Sequence, residues 1–167
     1  MSLLFEGMNR ARLAFVGLCL LVVSASGGGA EPDDCRPDRI DFQTESGVHS
    51  YRIEVVDTYE TRAQGLMHRT DLAADQGMLF VYQRAGQVAF WMKDTPLPLD
   101  IIFINSRGIV CSIAAHTTPF SLENIPSRCA AQTVLEVNAG QAAVDGIRVG
   151  APARHEAISK PVWGCPK

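Results

Sequence analysis

The chain has 167 residues, 47% of them hydrophobic and 20% charged, and a formal net charge of −3. That length holds one ordinary domain, and the composition is globular, so a chain disordered throughout is excluded. The mildly acidic balance gives no basic field of the kind nucleic-acid binding requires, which excludes nucleic acid as a partner.

The N-terminal segment reads as an export signal. Arg10 and Arg12 precede an apolar run from Leu13 to Val23, and small residues follow at once. The run is shorter than the roughly 20 apolar residues a membrane-spanning helix needs, and Val23-Ser24-Ala25 offers a cleavage sequence. Residues 1–25 are assigned as a signal peptide, 26–37 as a flexible mature N-terminus and 38–167 as a single β-rich domain. The expectation is an exported monomer, periplasmic or extracellular, with no stable membrane insertion after cleavage. Cleavage removes Arg10, Arg12 and Glu6 and leaves the mature chain one unit more acidic.

It also removes Cys19 and leaves Cys35, Cys111, Cys129 and Cys165. An even set in an exported chain predicts two disulfides, with three pairings to choose from. Cys35 and Cys165 lie near the two mature ends, while Cys111 and Cys129 bracket one loop, so Cys35–Cys165 with Cys111–Cys129 is preferred. No C-x-x-C pair is present, which argues against a metal site on these cysteines.

In chain order, Ile40 and Phe42 alternate with polar residues, Ser46-Gly47 reads as a turn, and Tyr51, Ile53 and Val55 alternate again, which predicts a hairpin. From Thr58 to Met67 the pattern becomes helical, with Thr58 as N-cap, Thr61 three residues on, and Gly65 as the stop. The runs GMLFVYQ and GQVAFWM flank Gln83 to Gly86 and predict a second hairpin. Pro96 and Pro98 then break strand pairing. LDIIFINSRGIVCSIAA is the clearest hairpin, turning at Asn105 to Gly108, and a long loop carrying Cys129 follows it. TVLEV reads as a short strand, AGQAAVDGI as a short helix ending near Gly146, and VGAPARHEAIS as a last strand. Short strands with few helical residues predict a mainly β fold, a small antiparallel barrel or sandwich of about six to eight strands with two short helices.

At RAQGLMHR, GMLF, FWMKDTPLPLDIIFI and VLEVNAGQAAVDGIRVG the chain resembles the family called domain of unknown function 192, also uncharacterised protein family 0127. The resemblance runs from about Asp41 to His155 and rests on the ordered set of four motifs. Arg62, Gly65, Leu66, Met67 and Arg69 match the first, and Gly77, Met78 and Phe80 the second. Trp91, Met92, Lys93, Thr95 and Asp100 match the third, and Leu135, Glu136, Gly140, Gly146 and Gly150 the fourth. The chain departs at His68 and Asp94, where the common pattern has an aromatic and Asn. The resemblance implies a compact, often secreted β-rich fold and carries no established activity.

Two segments bring polar residues next to apolar anchors: Arg62 to Arg69, and Trp91 to Asp100. Arg62, Arg69, Trp91, Lys93, Thr95 and Asp100 are therefore the candidate ligand-binding residues, with a polar small molecule or saccharide, such as a glycan or an anionic envelope component, as ligand and no cofactor. The competing structural reading buries Trp91 and uses Thr95 and Asp100 in backbone hydrogen bonds, with an arginine from the first segment paired to Asp100. Met67, His68 and Met92 offer an alternative Cu(I) ligand set, thioethers being soft donors. A third reading is an envelope-polymer hydrolase using Asp94, Asp100 or Glu136. His49, His116 and His155 are scattered in polar contexts and read as surface residues, and no catalytic triad is assigned.

Overall fold

The computed structural model describes residues 35–165. The signal-peptide assignment and all but the last residues of the expected flexible N-terminus lie outside the described residues.

Two strands open the fold, β1 (Arg39–Thr44) and β2 (Gly47–Val56), and α1 (Tyr59–Gln64) crosses over to β3 (Gln76–Gly86). After β4 (Ala89–Phe90) come β5 (Leu99–Asn105), β6 (Val110–Ala114), β7 (Ile125–Pro126) and β8 (Ala131–Asn138). The short helix α2 (Gln141–Val144) and β9 (Ala153–Arg154) close the chain. The main sheet has seven strands in the order β6-β5-β8-β3-β2-β1-β9, and β4 pairs with β7 in a small second sheet. Among the described residues only β2 and β3 run parallel, and the other strand pairings are antiparallel. The sheet curls into a half-barrel whose edges meet, where the Val110 N–H donates to the Ala151 carbonyl at 3.0 Å.

Both faces of the central strands are covered. Leu79, Ile102, Ile104, Leu135 and Val137 pack inside the curl with Ile40, Phe42 and α2 residue Ala142. Met78, Phe80, Ile101, Phe103 and Val134 face outward, under Leu66, Met92, Leu97 and Phe90. Burial on two faces explains why β5 and β8 read as nearly unbroken apolar runs rather than alternating ones.

Local signals were faithful at several turns. Thr58 caps α1, Thr61 completes the box through its hydroxyl, and Gly65, at φ +50°, ends the helix. The β1–β2 and β5–β6 hairpins form where the turns lie. Both expected disulfides, Cys35–Cys165 and Cys111–Cys129, are formed.

The second predicted hairpin is a correction. Gln83 to Gly86 continue β3, which lies between β2 and β8, and Phe90 pairs with Ile125 instead. Gly77 shows why β3 belongs beside β8: a Cβ there would stand 2.7 Å from the Glu136 carbonyl oxygen, so only glycine permits that approach. The last strand is also shorter than expected, two residues rather than a long run, because β9 pairs only with Asp41 and Phe42. His155, read as a surface residue, is buried, with Nε2 against the Pro37 carbonyl at 3.1 Å.

Candidate ligand-binding site

A cavity of about 200 Å³ opens between the α1 segment and the β4–Thr95 segment. Arg62, Gln64, Gly65 and Met67 line one side, Phe90, Trp91 and Thr95 the other, and Phe80, Tyr82 and Glu136 the sheet behind. Residues from all four motifs of the sequence reading therefore converge on one opening. It is smaller than the 300–1,000 Å³ or so of drug-sized sites, so it suits one ring or the end of a chain.

Glu136 belongs to β8, where it stands opposite Met78 and Ile101 on the outward face. It is 4% exposed, and among the described residues no hydrogen-bond donor or cation partners its carboxyl. Burial pushes its pKa up to about 8, because burial disfavours the charged form of a carboxyl. At neutral pH the group is a neutral acid that can both donate and accept. Burial also raises the Tyr82 hydroxyl, with Arg62 opposing and Glu136 reinforcing the shift.

Trp91 corrects the core reading: it is 50% exposed at the cavity rim. Its neighbours Phe90 and Met92 are the anchors, Phe90 edge-on to Phe80 and Phe103 and Met92 fully buried. Alternation along the segment sends Trp91 the other way. Lys93 Nζ lies 5.5 Å from the Trp91 ring centre. Thr95 is buried and its hydroxyl donates to the Lys93 carbonyl at 3.0 Å, which fixes this short loop.

Arg62 donates through Nη1 to the carbonyls of Asp57 and Val81, and its guanidinium lies over Tyr82 at 4.9 Å. Arg69 does not reach the cavity lining; it pairs with Glu54 at 2.5 Å. Asp100 is fully buried on the inner face and accepts the His116 N–H at 2.9 Å and the Ala142 N–H at 3.1 Å. The predicted arginine–Asp100 pair is thus absent, since both arginines lie on the outer side and backbone groups already satisfy Asp100. Of the predicted residues, Arg62, Trp91 and Thr95 line the cavity, Lys93 stands beside it, and Arg69 and Asp100 belong elsewhere.

Met67 lines the cavity, but Met92 is buried and its Sδ accepts from Thr117 Oγ1 at 3.2 Å, while His68 is exposed. The three Cu(I) candidates do not converge on one opening. Among the described residues no group of three or more His, Cys, Asp or Glu is arranged to hold a metal. The carboxylates of the hydrolase reading also part company, Asp100 facing inward and Glu136 outward.

In the sequence Glu136 stands in the fourth motif and among the hydrolase carboxylates and Phe80 in the second motif, neither of them on the expected binding face, and Tyr82 is not singled out. The signal was present: a single acid inside the otherwise apolar VLEV. At the far end of the curl, Ser46 Oγ lies 2.9 Å from His49 Nε2, and His49 Nδ1 lies 3.6 Å from Asp145. Asp145 instead takes hydrogen bonds from Tyr51 and Gln141, and Ser46 sits on an exposed turn, so this is not an assembled triad.

Solved structures support the architecture. A proposed transcription regulator from Sinorhizobium meliloti 1021 is 37% identical, with a TM-score of 0.68 over 72% of this chain and 94% of that one. A protein of unknown function from Novosphingobium aromaticivorans DSM 12444 is 36% identical, with a TM-score of 0.67 over 69% of this chain and 82% of that one. No curated protein matches. The family model DUF192, described as Uncharacterized ACR, matches residues 41–155. The chain belongs to the DUF192 family, whose function is uncharacterised.

Proposed function

We propose that this chain is an exported, monomeric, disulfide-stabilised binding domain, not an enzyme, and that the cavity under α1 and Trp91 holds a polar ligand such as a cell-envelope glycan. The observation that carries this reading is Glu136: a buried carboxyl, without a partner among the described residues, that faces an opening rather than the core. A bound ligand's hydroxyl would give this carboxyl the hydrogen-bond partner it lacks among the described residues. Trp91 at the rim supplies the flat apolar surface on which a sugar ring stacks. The two disulfides support a location outside the reducing cytosol, and among the described residues no helix is long and apolar enough to cross a membrane. The copy number is tested by sedimentation of the oxidised protein, with a single monomer-mass species as the result expected.

The binding reading is tested by calorimetric titration of the oxidised mature protein with a panel of envelope saccharides. Saturable binding to at least one, weakened about tenfold or more by Trp91→Ala, is the result expected when an aromatic platform is lost. Equal affinity in Trp91→Ala would move the site elsewhere, and an empty panel would remove the glycan reading.

A further inference from the structure

We propose that the cavity selects a carboxylate, the recognised end of its ligand being an acidic group such as that of a uronic acid, and that Glu136 accepts it only while holding its own proton. This rests on the binding reading above and names its ligand class. The argument begins with charge. Arg62 spends one nitrogen on two backbone carbonyls and has no carboxylate partner among the described residues. Among the described residues Lys93 pairs with Asp94, 4.0 Å away and half exposed, a pairing that solvent leaves weak. Both cations rest on aromatic rings at the opening, Arg62 on Tyr82 and Lys93 on Trp91.

Charged or titratable groups around Glu136 come from each neighbouring element in turn. Arg62 comes from α1, Tyr82 from β3, and Lys93 stands beside Trp91; Ala63 to Met67, Ala89, Phe90 and Thr95 add none, and the β5 neighbour is Ile101. In the cavity lining the acids are Glu136, held toward its neutral form by burial, and the Tyr82 phenol; Asp94 lies outside the lining, beside Lys93. A cationic ligand would meet Arg62 in the lining, with Glu136 there held toward its neutral form. A neutral polyol would leave Arg62 without a carboxylate partner. A carboxylate suits both lining groups: it accepts the Glu136 O–H in a short O–H···O⁻ bond and faces the free N–H groups of Arg62. No covalent bond is broken; one proton is shared between two carboxyl groups.

The proton makes binding depend on pH. Burial holds Glu136 protonated up to about pH 8; above that, two carboxylates would face each other, and they repel. The bound form carries one proton more than the ionised free form, so affinity falls about tenfold per pH unit beyond that point.

The experiment titrates the oxidised mature protein with D-glucuronate, D-glucose and inorganic phosphate between about pH 6 and 9.5, a range that brackets the expected transition. The expected result is that glucuronate binds in preference to glucose, that its affinity declines about tenfold per unit above pH 8 or so, and that Glu136→Gln flattens the profile. Glucose binding as tightly as glucuronate, or a flat wild-type profile, would overturn the carboxylate assignment and leave a binding domain standing. Phosphate binding more tightly than glucuronate would also overturn it. Silence from all three, in protein whose circular dichroism is native, would overturn it too, and the saccharide panel then decides the binding reading on its own.

Discussion

Glu136 and Asp100 sit on neighbouring strands yet leave the sheet on opposite faces. Glu136 pairs with Ile101, of the outer core, and Asp100 with Val137, of the inner core. The period of two along a strand makes that separation unavoidable. Inside, Asp100 is held by two backbone N–H groups and joins β5 to the start of α2 and the loop at His116. Outside, Glu136 meets an opening. One carboxyl is a structural fastener and the other lines the cavity.

That difference predicts opposite behaviours for their amides. In the folded protein Glu136 keeps a proton that the unfolded chain gives up near pH 4.5, so its contribution to stability is full below that pH and is lost as pH rises through about 8. The slope is about 1.4 kcal/mol per pH unit within the window. Glu136→Gln should remove this component, so urea denaturation at several pH values should show the variant gaining on the wild type steadily from acid to alkaline pH. Parallel curves would mean that Glu136 is not held neutral.

Asp100→Asn should be destabilising at neutral pH by about 2–3 kcal/mol, because an amide can accept one of the two N–H bonds and turns its own NH₂ toward the other. Asp94→Asn, on the exposed loop, should stay within about 0.5 kcal/mol. Denaturant midpoints of the two variants separate a fastener from a surface residue. Equal midpoints would remove the distinction.

Trp91→Ala should cost little stability, about 1 kcal/mol or less, since half the ring is already in water. Thermal melts check this directly. A loss of several kcal/mol would restore the core reading of this tryptophan.

Opening each disulfide should have unequal effects. Cys35–Cys165 spans 130 residues and Cys111–Cys129 only 18, and the loop-entropy relation assigns them about 5 and about 3 kcal/mol. Paired Cys→Ser variants, compared by urea denaturation, should rank in that order; the reverse ranking would show that the short link is fixing the β6 to β7 connection rather than only shortening a loop.

Local features of the fold were legible because they are written locally. Thr58 and Thr61 spell a capped helix start, Gly65 its end, and Asn105 to Gly108 a hairpin turn, all of which recur in the structure. The β3 partner was not legible: GMLFVYQ is apolar on both sides, so its pattern cannot say which strand it pairs with, and a polar QRAG tail looks like a turn when read alone. Of the cavity lining, Arg62 was legible in one segment and Trp91 and Thr95 in another, because each segment sets polar residues beside apolar anchors. Glu136 lies some forty residues from Trp91, and its lack of a partner depends on which face of β8 it occupies, which only the assembled sheet decides. Arg69 and Asp100 were drawn in by proximity along the chain, and Glu54 and two backbone amides claim them in space.

The most direct measurement of the central claim is the carboxyl carbon shift of Glu136, followed by NMR across pH with and without saturating glycan ligand. An inflection near pH 8 in the free protein, displaced when ligand is added and accompanied by a shift of the Trp91 indole N–H, is the result expected. An inflection near 4.5, or a Glu136 resonance that ignores a bound ligand, would contradict the account.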